Sequence, residues 1–267
     1  YEEAIKEDLS WMSLNWDSLE KQSSRLSNYN DALETLLNKK RAYPCFETAE
    51  ELSLKRKGQL SSGKPPVYDR SALKLSDSDI ADLKSKGKKA HYRFLLNHTD
   101  VNWDDLVKGP SKYNMSNLSD PVILRDDGRV IYTLASVVDD IDFKVTDILR
   151  GEDHMTNSAA QIQLFEALGS SAPRLGHLSL LTDISGSGLS KRLGSLSLKD
   201  LRQLGFEPMA ISSLLSKVGT SDPIDVFKDI TQIIKEFDIN KFGKSKPKFD
   251  KNELSNLNSK FFQLMDY

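Results

Sequence analysis

A chain of 267 residues is longer than one compact core of ordinary size needs, and it points to two or three modest modules. Hydrophobic residues at 38% and charged residues at 28% exclude wholesale disorder and a fibrous repeat, and no apolar run approaches the ~20 residues of a bilayer span. The single cysteine, Cys45, excludes an internal disulfide, and a net charge of −2 excludes a polycation built to coat nucleic acid. With only four histidines, a zinc site of ordinary Cys/His type is hard to assemble. The opening residues Tyr1-Glu2-Glu3-Ala4-Ile5-Lys6 lack the basic-then-apolar order of a secretion signal, so a reducing, cytoplasmic setting without membrane contact is expected. Charge is uneven, with eleven basic against five acidic residues over 51–93. That excess suits a phosphate-contacting surface and equally suits a solvated lysine-rich helix face.

In chain order, Ile5, Leu9 and Met12 predict a first helix, and Leu26, Tyr29, Leu33, Leu36 and Leu37 an amphipathic second one that ends before Pro44. A third helix is predicted over 48–57, before the breaker Ser61-Ser62-Gly63-Lys64-Pro65-Pro66, and a short one around Leu75, Ile80 and Leu83. A strand follows over 91–95. Residues 121–134 read as a hairpin, with arms Val122-Ile123-Leu124 and Val130-Ile131-Tyr132 about a turn at Asp126-Asp127-Gly128. A buried strand over 145–149, a helix from Thr156 closed by Gly169, and a strand over 178–181 form a βαβ unit. Such a unit predicts a parallel sheet with its ligand at the strands' carboxyl ends. Everything from Leu198 onward reads as a helical module with breaks at Pro208, Gly219, Pro223 and Pro247.

Two stretches sit where strand ends are expected. Arg150-Gly151-Glu152-Asp153-His154 brings a guanidinium that can fork onto a carboxylate or phosphate; a surface ion pair would explain it as well. Gly186-Ser187-Gly188-Leu189-Ser190-Lys191-Arg192 reads as a mobile cationic loop suited to polyphosphate, although it is not a Walker loop.

Six separated blocks carry a resemblance: Ala42-Tyr43-Pro44-Cys45-Phe46-Glu47-Thr48, Pro65-Pro66-Val67-Tyr68-Asp69, Ser119-Asp120-Pro121-Val122, Ser136-Val137-Val138-Asp139-Asp140, Ile148-Leu149-Arg150-Gly151-Glu152-Asp153-His154 and Leu189-Ser190-Lys191-Arg192. In order and spacing they resemble bacterial glutamyl-tRNA synthetase, a class I aminoacyl-tRNA synthetase, along the whole chain. The resemblance implies an α/β fold: a partial Rossmann-like catalytic domain in two parts (1–42 and 130–193), an α+β acceptor-binding insertion (43–129) and a helical stem-contact module (194–267). It implies ATP-dependent activation of glutamate, with Mg2+ accompanying ATP, and transfer to the terminal adenosine of tRNA by a monomer. Lys191 and Arg192 are the implied catalytic cations, in a signature loop Gly188-Leu189-Ser190-Lys191-Arg192 whose usual first lysine is replaced by Gly188. Asp153, His154 and Leu180 fall where ATP's adenosine is expected, and Arg150, Tyr132 and Ser136 where glutamate is.

Two departures from the family pattern stand out. Many relatives place zinc in the insertion through a Cys-x-Cys pair; here Glu47 follows Cys45 at that spacing, so no structural zinc is expected. The amino-terminal His-Ile-Gly-His signature and the anticodon-binding domain are missing from the sequence given, which reads as an internal fragment expected to be inactive alone. A paralogue that glutamylates a tRNA base, and a noncatalytic RNA-binding module, are the alternative readings.

Overall fold

The computed structural model of the chain describes residues 1–189 and 197–265. Two amino-terminal helices, α1 (Glu2–Trp11) and α2 (Leu26–Asn38), lead to strand β1 (Ala42–Cys45). Helix α3 (Ala49–Ser61) opens with a reciprocal cap: the Glu51 N–H donates to Thr48 Oγ1 at 3.2 Å, and the Thr48 N–H donates to the Glu51 carboxylate at 2.8 Å. Ser76 and Asp79 repeat the device at α4 (Asp77–Ser85). Strand β2 (His91–Phe94) then pairs antiparallel with β1 on one side and β5 (Val122–Leu124) on the other.

Between β2 and β5 lies a hairpin of β3 (Asp100–Asp105) and β4 (Gly109–Asn114), which sequence reasoning missed. Its strands are rich in Asp, Asn, Lys and Ser, residues of weak strand preference, and only the alternate burial of Val101 and Asp105 marks the inner face. The hairpin predicted at 121–134 shrinks to one bridge between Leu124 and Val130, flanked by the Arg125 N–H to Arg129 carbonyl bond. Its second arm gives way to helix α5 (Tyr132–Asp142), because Leu134, Ala135, Val137 and Val138 recur at helical spacing and fill the core.

The predicted βαβ unit is present. Strand β6 (Asp147–Gly151), helix α6 (Met155–Leu168) and strand β7 (Arg174–Leu178) form a parallel pair, with Gly169 closing the helix at φ +88°. Both strands sit differently from expectation. β6 starts two residues late because residues 139–145 close α5, with the Val145 N–H bonded to the Asp140 carbonyl, so Arg150 lies inside the strand. β7 starts four residues early, since its register with β6 runs from Arg174, and the 178–181 strand is replaced by Leu178 as its last residue. The Leu106 N–H donates to the Leu175 carbonyl at 2.8 Å, joining the end of β3 to the far side of β7. This approach requires Gly176, where an added Cβ would lie 2.6 Å from Leu149 Cδ2 and 3.2 Å from Leu106 Cβ.

The carboxyl-terminal region contains α7 (Leu198–Gln203), α8 (Pro208–Lys217), α9 (Ile230–Glu236) and α10 (Lys251–Leu264). It is less helical than expected: around Pro223, Gly243 and Pro247 the backbone forms turns and isolated bridges, one joining Thr182 to Lys248. The largest core runs from Tyr29, Leu33 and Leu36 through Phe94, Met115 and Ile123 to Leu134, Val137, Leu164 and Phe165, so it draws on residues either side of positions 42 and 129. A second core seats Met12, at the end of α1, against Leu201, Phe206, Ile211, Leu214 and Leu254. No helix among the described residues is long and apolar enough to cross a membrane.

Candidate functional site

At the carboxyl end of β6 the side chains expected to hold glutamate come together. Tyr132 and Ser136 are one turn apart on α5 and share a face. Arg150 Nη1 donates to the Tyr132 hydroxyl at 3.0 Å, while Nη2 donates to Ser158 Oγ and to Gln161 Oε1, each at 2.6 Å. Gln161 in turn donates to Ser136 Oγ at 2.7 Å, so Ser136 meets the guanidinium through Gln161. The two-nitrogen fork expected from sequence is thereby altered: Nη2 already has two acceptors, so the hydrogen left for a ligand is on Nη1, while Nε is buried and has no hydrogen-bond partner among the described residues. Every hydrogen-bond partner of Arg150 among the described residues is neutral, so its charge is not cancelled by an ion pair there.

The residues expected near adenosine gather beside this group. An added Cβ on Gly151 would stand 2.5 Å from Asp153 Oδ1 and 2.9 Å from Leu180 Cδ2, which shows how closely both close over the strand end. The His154 ring meets Tyr132 edge-on at 5.8 Å. Asp140, on α5, is the nearby acid: burial pushes its carboxyl up to about 6, against the pull of Arg150 and with help from Asp139.

Of the signature loop, Gly188 and exposed Leu189 are described. Gly188 bridges to Thr182 across a tight turn in which the Asp183 N–H donates to the Ser187 carbonyl at 2.8 Å and Gly186 takes φ +87°. This part, expected as a mobile loop, is a hydrogen-bonded hairpin. Ser190, Lys191 and Arg192 lie outside the described residues.

Several quoted blocks turn out to hold the scaffold. Asp120 accepts from Arg70 Nε and Nη2 at 2.8 and 2.7 Å, from the Tyr43 hydroxyl at 2.6 Å and from the Leu96 N–H at 3.0 Å. Asp139 accepts from Arg25, Tyr29 and Gln22, tying α5 to the amino-terminal helices. Two of the basic residues over 51–93 also turn inward: Arg70 binds Asp120, and buried Arg93 donates to the Asp120 carbonyl at 2.6 Å and stacks 4.2 Å over Tyr68.

Cys45 and His91 are register partners, and with Glu47 they bring a thiol, a carboxylate and an imidazole within 4.8 Å of one another. Sequence reasoning missed His91, because its partnership follows only from strand register. Glu47 Oε1 accepts from the Tyr68 and Ser71 hydroxyls at 2.7 and 2.8 Å. The closed four-ligand Cys/His shell of structural zinc is therefore not reproduced: there is one thiol, and one carboxylate oxygen is already held by hydroxyls.

Residues 1–256 match the family described as tRNA synthetases class I (E and Q), catalytic domain. The chain belongs to that family. It is 49% identical over 268 residues to glutamate–tRNA ligase 1 of Maricaulis maris and 50% identical over 268 residues to a glutamate–tRNA ligase of Azospirillum brasilense, in each case covering 100% of this chain and 60% of the relative. A crystal structure of a glutamate-tRNA synthetase from Elizabethkingia anophelis is similar with a TM-score of 0.87 and 27% identity, over 99% of this chain and 61% of that one. The chain thus spans about three fifths of the length of these relatives. The class I family fold accounts for the parallel β6–α6–β7 unit, whose first strand carries the arginine described above, beside Tyr132 of α5.

Proposed function

We propose that the chain serves a glutamate–tRNA ligase, which joins glutamate to ATP with release of pyrophosphate and passes the glutamyl group to the terminal adenosine of tRNA. The observation that carries this reading is an arginine whose hydrogen-bond partners among the described residues are all neutral, held beside a tyrosine hydroxyl at the end of a parallel strand. Nη1 of Arg150 and the Tyr132 hydroxyl would receive the side-chain carboxylate of glutamate, and the amide of glutamine would set a poorly paired donor against them. Ser136 would contribute its hydroxyl proton to the same substrate, since its oxygen already accepts from Gln161. Asp153, His154 and Leu180 would bound the adenosine end, placing ATP across the mouth of β6.

Lys191 and Arg192, with Gly188, Leu189 and Ser190, would meet the phosphates of ATP; magnesium arrives with that substrate. No protein nucleophile is needed, because alignment and preplaced positive charge supply the catalysis. The exposed lysines of the insertion, among them Lys57, Lys64, Lys88 and Lys89, would face the acceptor arm of a tRNA bound by a monomer. No structural zinc enters this reading, and stoichiometric zinc in the purified protein would contradict that point.

Glutamate-dependent ATP–pyrophosphate exchange by the full-length protein with tRNA tests the proposal. Arg150→Ala is expected to raise the glutamate KM by a hundredfold or so, as the loss of a charge-assisted contact does, and Lys191→Ala to lower kcat. Unchanged exchange in both variants would refute it.

A further inference from the structure

Behind Arg150 lies a polar chain that the proposed reaction does not use. Asp105 ends β3, His177 sits in β7 as the register partner of Arg150, and Ser158 lies on α6; all three are buried, with His177 and Ser158 fully so. His177 Nδ1 is 2.5 Å from Asp105 Oδ2, His177 Nε2 is 2.7 Å from Ser158 Oγ, and Ser158 Oγ accepts from Arg150 Nη2 at 2.6 Å. Three elements far apart in sequence thus meet in one line that ends on the guanidinium.

The direction of each hydrogen bond follows from Asp105. Its Oδ1 accepts the backbone N–H groups of Val107, Lys108 and His177 at 3.0 to 3.1 Å, and its Oδ2 accepts Trp103 Nε1 at 3.1 Å. A carboxylate facing that many donors leaves His177 Nδ1–H as the donor to Asp105, and in that tautomer Nε2 is an acceptor. The Ser158 hydroxyl fills it, in preference to the His154 carbonyl at 3.2 Å, and keeps its lone pairs for Arg150. The relay transmits orientation while keeping the Asp105 charge two side chains away, so the guanidinium is aligned without being neutralised. Because Nε has no hydrogen-bond partner among the described residues, the plane of Arg150 is set by Ser158 and Gln161 on one nitrogen and Tyr132 on the other.

We infer that Asp105, His177 and Ser158 are positioning residues that orient Arg150 toward the glutamate side-chain carboxylate and set discrimination against glutamine. The inference rests on the proposed role of Arg150. It also means that a residue of the acceptor-binding insertion, Asp105, takes part in choosing the amino acid.

The test is ATP–pyrophosphate exchange by the full-length protein with tRNA, varying glutamate, glutamine and ATP separately, for Ser158→Ala, His177→Gln, Asp105→Asn and Arg150→Ala. Ser158→Ala and His177→Gln are expected to raise the glutamate KM by about tenfold, the effect of losing one hydrogen bond to a charged group, with the ATP KM within about twofold of the parent. The preference for glutamate over glutamine should shrink in the same variants. Asp105→Asn offers His177 an amide N–H and so favours the opposite tautomer; its glutamate KM should rise as well. A merely structural role would lower thermal stability and leave the ratio of the two KM values alone, and that result would overturn the inference. If Arg150→Ala raises the glutamate KM while Ser158→Ala matches the parent, the relay is refuted and the role of Arg150 stands. If Arg150→Ala leaves the glutamate KM unchanged, the underlying reading of the site fails. Should His177→Gln or Asp105→Asn fail to fold, Ser158→Ala, which removes a single buried hydroxyl, decides the matter.

Discussion

Glycine 176 shows how much a single hydrogen can decide. Its missing side chain lets β7 lie between Leu149 of β6 and Leu106 at the end of β3. An added methyl must displace both leucines, one of them through its Cβ, which cannot swing away. Gly176→Ala is expected to cost about 1–3 kcal/mol, the usual range for overpacking a tight core, and urea unfolding measures it. Because His177 is the next residue, the same variant should also raise the glutamate KM. Sequence reasoning singled out Arg150, Tyr132 and Ser136 because the resemblance to the family pattern points to those positions. It passed over Ser158, Gln161 and His177, which sit inside apolar runs of α6 and β7 and look like interruptions of the core. The available signal was polar side chains bordering apolar residues at Ala159-Ala160, Ile162 and Leu178: a buried hydroxyl, amide or imidazole must find a partner, and here they meet at Arg150.

Among the elements, the three-stranded sheet β1–β2–β5 depends on Asp120, which lies on no strand. Its carboxylate takes two nitrogens of Arg70, the Tyr43 hydroxyl and the Leu96 N–H, fastening the ends of β1 and β2 to the segment before β5. Asp120→Asn keeps the shape, replaces an acceptor by a donor and leaves Arg70 poorly paired, so a loss of about 3 kcal/mol is expected; the urea midpoint should fall with little change in slope. The blocks Ser119-Asp120-Pro121 and Ser136-Val137-Val138-Asp139 thus mix scaffold residues with a residue proposed for the substrate, and sequence spacing alone does not separate them. Elements read from periodicity fared best where the pattern was long: α2 and α6 were legible from their apolar faces, and Gly169 marked the end of α6. The β3–β4 hairpin and the extents of β6 and β7 were not, because pairing register is settled by contacts with distant segments.

For the whole molecule, buried Asp105 and half-buried Asp140 give opposite dependences on pH. Burial pushes the Asp105 carboxyl up, but the hydrogen bonds from His177, the backbone and Trp103 outweigh it and bring it down to about 2. An acid lowered on folding contributes stability that is present above about pH 4, its unfolded value, and lost as pH falls toward 2. Asp140, raised to about 6 chiefly by burial, behaves in the reverse sense: the folded state holds its proton more tightly, so stability declines as pH rises from about 4 to about 6. Unfolding free energies across this range should show Asp140→Asn abolishing the decline between pH 4 and 6, and Asp105→Asn flattening the loss below pH 4. A parent protein whose stability is level from pH 2 to 6, with both variants parallel to it, would contradict these assignments.

The sequence by itself determined the α/β class, the βαβ unit and the main helices, and it singled out Arg150, since local periodicity, caps and spaced motifs are properties of neighbours along the chain. Tertiary structure alone decided that Nη2 of Arg150 is already occupied, that Cys45 faces His91, and that Asp105 of β3 reaches the arginine through His177 and Ser158. Those facts depend on which strands pair, in what register, and on buried polar groups having to satisfy one another across elements that are remote in sequence.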